Sequence, residues 1–434
     1  MSFLYFAYGS NLWPPRLRSR CPSTQVVTTA RLKGWSLHWD KPSVDGSAKL
    51  NIRPEANASV TGALYEIEDG ERQALDEAEP LYSPIVVEVD GGRALTYTYE
   101  GSATEELPYD WYLALVGAGA RHHGLDPSVY QTGTKPDPLA PGVRPADHAD
   151  LPTLQGILSA GLAAGDGRYS IHPGDLAWWV YHDDPRHPDH FSMWVQGTDA
   201  FVVVDSLDPG ENCVFARPGV DRMALLKWAQ KRLQAVPEAG WVADTDHEMV
   251  TALNAERYEP VDAFRHYEWD LTGDLPRATS PEGWELRAVR GEEEANARRA
   301  AAHAAFESTM DPAMHLDRYL GLMRSPAYVR ERDLVAVDRE GTVGSFMIWW
   351  ADGTGIAQIE PFGTDPRFHR QGMGRALIYH GLAEMKAAGM RVARVCTEDD
   401  RRPATDFYVA CGFTDVGRLR WWRRPVTASP LQDA

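Results

Sequence analysis

Apolar and polar positions near the C-terminus predict a strand, a turn and a helix in succession. The apolar run Gly355–Ile359 predicts a strand that ends at an acidic residue, Glu360, and two glycines, Gly372 and Gly374, follow a turn. The apolar side of the helix that comes next consists of Met373, Leu377, Ile378, Leu382 and Met385. A helix that begins at a glycine-bearing loop leaves backbone N–H groups unpaired, so this segment predicts an anion site; glycines used only for turning are the alternative.

The first 136 residues have a different pattern, in which short apolar runs alternate with turn residues. Ser2–Tyr8 predicts a strand that ends at the turn Gly9-Ser10-Asn11. Gly70–Glu79 and Pro108–His122 predict helices, and the strands around them predict a compact, barrel-like α+β domain. The Gly-Ser-Asn turn presents backbone amides and two short polar side chains at one point. It therefore predicts either a nest for a carboxylate or an ordinary turn.

A linker and an internal repeat follow. Gln131–Gly142 is rich in Pro, Gly and Thr, and after it a helix, a hairpin, a strand, a second helix and closing strands occur twice. The copies differ at the glycine loop, because the first copy has only one glycine and a proline in Arg217–Arg222. Proline has no N–H to offer, so we expect the first copy to be a structural or substrate-shaping partner without the same ligand.

Composition narrows the possible partners. The formal net charge of -18 argues against a nucleic-acid partner and mildly favours cationic or amine ligands. The cysteines show no C-x-x-C spacing, so neither a zinc site nor a disulfide framework is predicted. The N-terminus lacks a basic region and no segment has the length and apolarity of a membrane span. We therefore expect a cytoplasmic protein without a membrane partner.

Four N-terminal segments resemble the γ-glutamylcyclotransferase-like family. They are YFAYGSNL, VTGALYEI, LDEAEP and PYDWYLALVGAGARHHGL, in that order. The resemblance spans residues 1–136 and implies a small mixed β-barrel with helices. The residues that it implies for holding the α-carboxylate of a γ-glutamyl group are Tyr8, Gly9, Ser10 and Asn11. It also implies that Glu79 shuttles protons, and Pro80 stands where the family usually has glycine.

The reaction implied by this resemblance releases 5-oxoproline and a free amine, because the α-amine attacks its own γ-carbonyl. The attacking ammonium must lose protons and the leaving amine must gain them, so one carboxylate can serve both steps. We expect Asp76 and Glu77, which lie beside Glu79, to be solvated charges.

The second copy, residues 282–426, resembles the GNAT acetyltransferase superfamily, and the tandem arrangement resembles its two-repeat members. The family's pyrophosphate signature is Arg/Gln-x-x-Gly-x-Gly/Ala after the fourth strand, and here the glycines match while the first position is histidine. The resemblance implies that acetyl-CoA binds as co-substrate with its pyrophosphate on one loop. That loop comprises His369, Arg370, Gln371, Gly372, Met373, Gly374 and Arg375.

Two further residues acquire candidate roles from this resemblance. Ala404–Phe413 resembles the family's Phe-Tyr-x-x-x-Gly-Phe element, whose tyrosine, here Tyr408, often protonates the departing thiolate. A phenol suits this step because its pKa lies slightly above that of a thiol, and core packing beside Phe407 is the alternative. Glu360, at the end of the fourth strand, is the candidate general base; a strand-end charge or a substrate clamp is the alternative.

Other polar and aromatic groups have simpler interpretations. His122-His123 ends a predicted helix and is expected to complement its dipole. The cluster of His182, His187 and His190 with Asp183, Asp184 and Asp189 resembles an exposed loop more than a divalent-ion site, so no metal is predicted. The pairs Trp178-Trp179, Trp349-Trp350 and Trp421-Trp422 predict packing, or one of them lines a substrate cleft.

The chain is therefore predicted to be multidomain α+β, with two GNAT-like α/β domains after the barrel. The predicted segments are a γ-glutamylcyclotransferase-like domain at 1–136, a linker at 137–141, a degenerate GNAT-like repeat at 142–275, a GNAT domain at 282–426 and a flexible tail at 427–434. The predicted function is bifunctional: a γ-glutamyl amide cyclotransferase and an acetyl-CoA-dependent N-acetyltransferase, both acting on small amine-containing molecules. The alternative, favoured by Pro80 and the short loop before Tyr82, is a single acetyltransferase whose N-terminal domain only binds a ligand.

Overall fold

The computed structural model describes residues 1–164, 171–181, 191–205, 212–233, 235 and 237–425. These residues form two compact units. Taking described residues only, the first unit lies within 1–147, 189–209 and 224–236, and the second within 148–188, 210–223 and 237–434. The segment predicted as the first repeat therefore has parts in both units.

A closed five-stranded barrel forms the centre of the first unit, which confirms the predicted architecture. Its strands are β1 (Ser2–Ala7), β2 (Gln25–Pro42), β3 (Ala48–Glu68), β4 (Ser83–Val89) and β5 (Gly92–Thr98). Their order is β1-β3-β2-β4-β5, and β1 closes the barrel by pairing in parallel with β5. A Cβ at Gly62 would lie 2.2 Å from the Ala7 carbonyl oxygen, so β1 and β3 approach closely there because glycine has no side chain.

Three helices and a small antiparallel sheet accompany the barrel. The helices are α1 (Pro14–Arg18), α2 (Arg72–Ala78) and α3 (Asp110–His122), and the strands are β6 (Val143–Pro145), β7 (Phe191–Gln196) and β8 (Ala200–Asp205). A 3-10 turn, Asp69–Glu71, precedes α2, so the helix begins later than predicted. The rings of Trp111, Trp194 and Trp228 pack edge-on with centroids 5.3 to 6.4 Å apart, which joins α3 to the small sheet.

An eight-stranded sheet forms the centre of the second unit. Its strands are β10 (Glu238–Ala243), β11 (Glu259–Asp270), β12 (Trp284–Ala288), β13 (Asp333–Asp338), β14 (Val343–Ala351), β15 (Ile356–Thr364), β16 (Val392–Glu398) and β17 (Thr414–Arg423). Their order is β10-β17-β11-β16-β15-β14-β13-β12. Strand β11 lies between β16 and β17, so a strand from the predicted first repeat completes the sheet of the second.

The described part of the chain contains one further strand and further helices. The remaining elements are β9 (Cys213–Ala216), α4 (Leu151–Ala164), α5 (Pro173–Tyr181), α6 (Arg222–Arg232), α7 (His247–Ala255), α8 (Ala295–Ala305), α9 (Pro312–Met323), α10 (Met373–Ala387) and α11 (Arg402–Cys411). The predicted apolar side of α10 is buried, from Met373 to Met385. Within the described part of the chain, no helix is both long and apolar enough to cross a membrane.

Candidate active sites

The turn after β1 brings Asn11 to Glu79. The chain leaves the barrel at Ala7 and forms a short 3-10 helix over Ser10–Leu12. The Asn11 amide is buried, and its Nδ2 donates to the Tyr5 hydroxyl and to Glu79 Oε1, both at 2.9 Å. The structure thus unites two residues that lie 68 positions apart in the sequence.

Glu79 directly follows α2 and has a second partner, Arg20. Arg20 Nη1 donates to Glu79 Oε1 at 3.0 Å and to Asn11 Oδ1 at 2.8 Å. The Arg20 and Glu79 side chains are 9% and 14% exposed, so this ion pair is largely enclosed. Sequence reasoning missed Arg20, because it follows α1 in a segment that carries no motif.

The other turn residues support the cluster in different ways. The buried Tyr8 hydroxyl donates to the Tyr97 carbonyl oxygen at 2.7 Å, so this side chain is anchored in the barrel. Ser10 forms a hydrogen bond with Tyr112, whose pKa is raised, chiefly by burial and then by the charge of Glu79. A Cβ at Gly9 would lie 3.8 Å from the Tyr112 hydroxyl, which places the turn directly beside that ring.

Cationic side chains surround Glu79. Lys41 is buried with its ammonium 4.4 Å from the centre of the Tyr82 ring, and burial lowers the pKa of Lys41 while Glu79 opposes this shift. Burial lowers the pKa of Arg16 to about 9, and the charge of Arg20 adds to that shift. An enclosed group of positive charges suits an anionic ligand such as a carboxylate.

A wide cleft opens in the second unit where strands β15 and β16 diverge. The two strands pair in parallel only from Ile356 to Ile359, whereas β15 pairs with β14 as far as Thr364. The predicted strand end at Glu360 is therefore wrong, because the β14 pairing carries the strand four residues further. Glu360 is instead the first residue beyond the last β15–β16 pair, and it lines a cleft of about 870 Å³.

The environment of Glu360 favours its neutral form. Burial, and then the negative charge of Asp175, raise the pKa of Glu360 to about 8. The Trp350 indole Nε1 donates to the Glu360 carbonyl oxygen at 2.7 Å, which fixes the backbone here. A carboxyl group that titrates near neutral pH can accept a proton from an amine and release it again.

The predicted cofactor loop borders the same cleft. Its lining residues are His369, Arg370, Gly372, Met373, Gly374 and Arg375. Gln371 is not among them, and its Nε2 donates to the Arg367 carbonyl oxygen at 3.3 Å. Arg370 and Gly372 adopt φ values of 60° and 80°, and α10 begins at Met373 directly after them. The helix N-terminus therefore borders the cleft.

Tyr408 reaches this cleft from α11. Its ring packs against Tyr267 and Phe413, with centroids 5.8 and 5.9 Å away. Burial, and then the charge of Glu360, raise the pKa of Tyr408 well above its usual value, so the phenol keeps its proton. The ring is therefore packed while the residue lines the cleft, and its role as the acid stays a prediction.

Comparisons with known proteins match an N-terminal and a C-terminal part of the chain to two different families. The family model "Gamma-glutamyl cyclotransferase, AIG2-like" matches residues 5–113, and "Acetyltransferase (GNAT) family" matches residues 299–413. A gamma-glutamylcyclotransferase from Bos taurus is 31% identical over 143 residues, which cover 30% of this chain and 76% of the relative.

The chain belongs to the gamma-glutamylcyclotransferase family in its N-terminal part. Its C-terminal part matches the GNAT acetyltransferase family model.

Two further comparisons each cover 64% of this chain. A mycothiol acetyltransferase from Salinispora arenicola is 26% identical over 301 residues, which cover 64% of this chain and 95% of the relative. A solved tandem GNAT protein from the clavulanic acid biosynthesis pathway shows 16% identity over 64% of this chain and 97% of its own, with a TM-score of 0.44. The chain is a fused enzyme with an acyltransferase domain, and GNAT acetyltransferases use acetyl-CoA.

The segment predicted as the first GNAT-like repeat contains a smaller cavity. This cavity of about 170 Å³ is lined by the loop after β9, including Arg217, Pro218 and Gly219. Arg222, at the start of α6, forms an ion pair with Asp246, in which Nη2 and Oδ1 are 2.8 Å apart. The loop before α10 has two glycines, Gly372 and Gly374. The loop after β9 instead has a proline, Pro218, and is followed by Arg222, which is paired with Asp246.

The other residues considered from sequence have packing partners or lie outside the described residues. His123 Nε2 lies 2.7 Å from the Tyr65 hydroxyl and 3.0 Å from the Leu12 carbonyl oxygen. The histidine–aspartate cluster from His182 to His190 lies outside the described residues. The rings of Trp421 and Phe264 are in contact, with centroids 5.4 Å apart, and Phe264 lines the same cleft as Glu360. Within the described ranges, no group of three or more potential ligands is arranged for a metal ion.

Proposed function

We propose that the chain is a bifunctional enzyme that releases 5-oxoproline from a γ-glutamyl amide and acetylates a small amine. The observation that supports the first activity is the network of Asn11, Arg20 and Glu79 beside the Gly-Ser-Asn turn. The relatives named gamma-glutamylcyclotransferases support the same reaction class.

In the cyclotransferase domain, Glu79 relays protons between two nitrogens. The substrate α-ammonium loses two protons overall, and its nitrogen forms a new bond to the γ-carbonyl carbon. The old C–N bond breaks, and the leaving nitrogen gains two protons and departs as an ammonium. Glu79 carries one proton at a time, while Arg20 and Asn11 hold its carboxylate in place.

The test is incubation of the protein with a panel of γ-glutamyl amines, in which 5-oxoproline is measured. We expect release by the wild type and its loss in Glu79→Gln, which keeps the shape of the side chain but cannot relay protons. Glu77→Gln on α2 is the matched control, because the Glu77 side chain is exposed and accepts a hydrogen bond from Gln73 of the same helix. Binding of γ-glutamyl ligands without any release would instead make the domain a ligand-binding module on a single-activity acetyltransferase.

For the GNAT domain, the supporting observation is that Glu360, Tyr408 and the loop before α10 border one cleft. Acetyl-CoA supplies the acetyl group as a thioester, with its pyrophosphate at residues 369–375. Glu360 takes one proton from the acceptor ammonium, and the neutral nitrogen bonds to the acetyl carbon. As the C–S bond breaks, Tyr408 gives its proton to sulfur and regains one from the nitrogen.

Calorimetry with acetyl-CoA tests this half of the proposal. One acetyl-CoA site per chain is expected. In the predicted first repeat, Pro218 has no N–H to offer a phosphate, and Arg222 is already paired with Asp246. Gly374→Trp is expected to abolish binding, since a Cβ at Gly374 would already lie 2.9 Å from Thr364 Oγ1. Two sites per chain would contradict a degenerate first repeat.

A further inference from the structure

Strand β11 adds an aromatic residue, Phe264, to the cleft that holds Glu360. The strand is inserted between β16 and β17, where Phe264 pairs with Glu398 on one side and with Leu419 on the other. The Phe264 side chain is partly exposed and lines the cleft together with Glu360 and Tyr408. The segment predicted as the first repeat therefore supplies a residue to the cleft of the second.

Two indole rings pack against Phe264. The ring centroids of Trp241 on β10 and Trp421 on β17 lie 5.1 and 5.4 Å from that of Phe264, and 4.6 Å from each other. Trp241 has a φ of 56°, which is rare for residues other than glycine. A Cβ at Gly240 would lie 2.9 Å from the Trp421 indole nitrogen, so β10 approaches that ring closely. The rings of Trp241, Phe264 and Trp421 thus form an aromatic wall, and its close packing holds Phe264 in place.

Two other phenylalanines of the cleft lie on the side of the cofactor loop. A Cβ at Gly374 would lie 3.2 Å from Phe362 and 3.4 Å from Phe407, so both rings lie against the first turn of α10. They stack on each other, with centroids 5.4 Å apart and planes tilted by 11°. Strand β11, which carries Phe264, is separated by β16 from β15, the strand that leads into this loop. The position of Phe264 therefore suits the acceptor and not the phosphates of acetyl-CoA.

The charged residues beside Phe264 do not favour one sign. The arginines of the cofactor loop that line the cleft are Arg370 and Arg375. Glu398, the strand partner of Phe264, shares a turn with Arg401, whose backbone N–H donates to the Glu398 carbonyl oxygen at 3.2 Å. Glu398 and Arg401 both line the cleft, and both are exposed. Recognition at the aromatic wall therefore depends on a ring face and not on a net charge.

A phenyl ring that packs against indoles and reaches a cleft is suited to bind another flat ring. Aromatic rings attract one another in offset-stacked or edge-on arrangements, beyond the effect of burying apolar area. A phenyl ring has no hydrogen-bonding group, so it does not satisfy the hydroxyl groups of a sugar.

We propose that Phe264 is the platform on which the acceptor of the GNAT domain stacks, and that this acceptor is an amine with an aromatic body. The inference rests on the proposed acetyltransferase function and names its substrate class. Phe264 acts as a specificity-determining residue, and the insertion of β11 is what brings it to the cleft.

Binding of three amines tests the inference without turnover. Phenethylamine carries an aromatic ring, 2-cyclohexylethylamine carries a saturated ring on the same ethylamine, and glucosamine carries a sugar ring. Each is titrated by calorimetry in the presence of CoA. We expect the wild type to bind phenethylamine about fivefold more tightly than either of the other amines.

Variants of Phe264 separate ring stacking from apolar packing. Phe264→Leu and Phe264→Met keep an apolar side chain without the ring, and each should reduce the preference to less than about twofold. Phe264→Tyr keeps the ring and should keep the preference. Val261→Ala is the matched control, because Val261 lies on the same strand and is 50% exposed.

Acetyl transfer measured on the same proteins separates the inference from the proposed function. Phe264→Leu is expected to raise the KM for phenethylamine about fivefold and to leave the KM for acetyl-CoA unchanged. A comparable rise in the KM for acetyl-CoA would place Phe264 at the cofactor and overturn the inference. A wild type that binds none of the amines, or that does not prefer phenethylamine, would also overturn it, as would ring-free variants that keep the preference. Aromatic preference that depends on Phe264, without acetylation, would leave the inference standing and contradict the acetyltransferase proposal.

Discussion

Arg20 and Glu79 form an ion pair of 3.0 Å in which the same arginine nitrogen also binds the amide oxygen of Asn11. Asn11 in turn donates to the same carboxylate oxygen, so the three side chains form a closed triangle of hydrogen bonds. A closed triangle restricts the Glu79 carboxylate more than either partner alone would. The position of the proposed proton relay therefore depends on a residue outside the family's motif.

Arg20→Gln is expected to slow the release of 5-oxoproline at saturating substrate by about tenfold or more, which corresponds to about 1.4 kcal/mol. Glutamine can still form a hydrogen bond, but it cannot balance the charge of an enclosed carboxylate. Steady-state kinetics on a γ-glutamyl amine provide the measurement. Arg93→Gln is the control, because Arg93 is 73% exposed and pairs with Glu88 only at the surface. Equal turnover by Arg20→Gln and wild type would contradict this role.

The rate of acetyl transfer should rise with pH around the pKa of Glu360. That pKa is raised to about 8 by burial and by Asp175, and the base must be ionised to accept a proton. We therefore expect kcat/KM to increase between about pH 7 and 9 and to level off above. Glu360→Gln should lower kcat/KM and remove this limb. A limb near the ordinary glutamate pKa, or a flat profile in the wild type, would show that Glu360 is not the base.

Local patterns predicted the barrel, the loop before α10 and the buried side of that helix. They could not predict the insertion of β11 between β16 and β17, because strand pairing over more than 100 residues leaves no local signal. Glu79 was found because a motif marks it. Arg20 was missed because its contact with Glu79 joins residues 59 positions apart and no motif marks the arginine.

The first turn of α10 should be sensitive to a single added methyl group. A Cβ at Gly374 would lie 2.9 Å from Thr364 Oγ1 and 3.2 Å from Phe362 Cζ, so Gly374→Ala must displace these side chains or shift the helix. Such overpacking typically costs about 1–3 kcal/mol. We expect a lower melting temperature and weaker acetyl-CoA binding in calorimetry.

The matched control for this substitution is Gly353→Ala in the turn between β14 and β15. A Cβ there meets nothing within 4 Å, so both stability and acetyl-CoA affinity should stay close to wild type. If Gly374→Ala bound acetyl-CoA as tightly as Gly353→Ala, the close packing at the helix start would not matter for the cofactor.

Glu360 should also make stability depend on pH. Its folded-state pKa of about 8 lies above the unfolded value, so the folded protein holds a proton that the unfolded chain releases. The resulting stabilisation is complete below the unfolded pKa and is lost as pH rises through about 8. Glu360→Gln cannot ionise and avoids this loss. Its melting temperature should therefore be close to wild type at pH 5 and higher than wild type at pH 9, by calorimetry at both pH values.

Glu384→Gln, at an exposed position of α10, should show no such divergence. A constant difference between Glu360→Gln and wild type across this range would mean that Glu360 is ionised throughout.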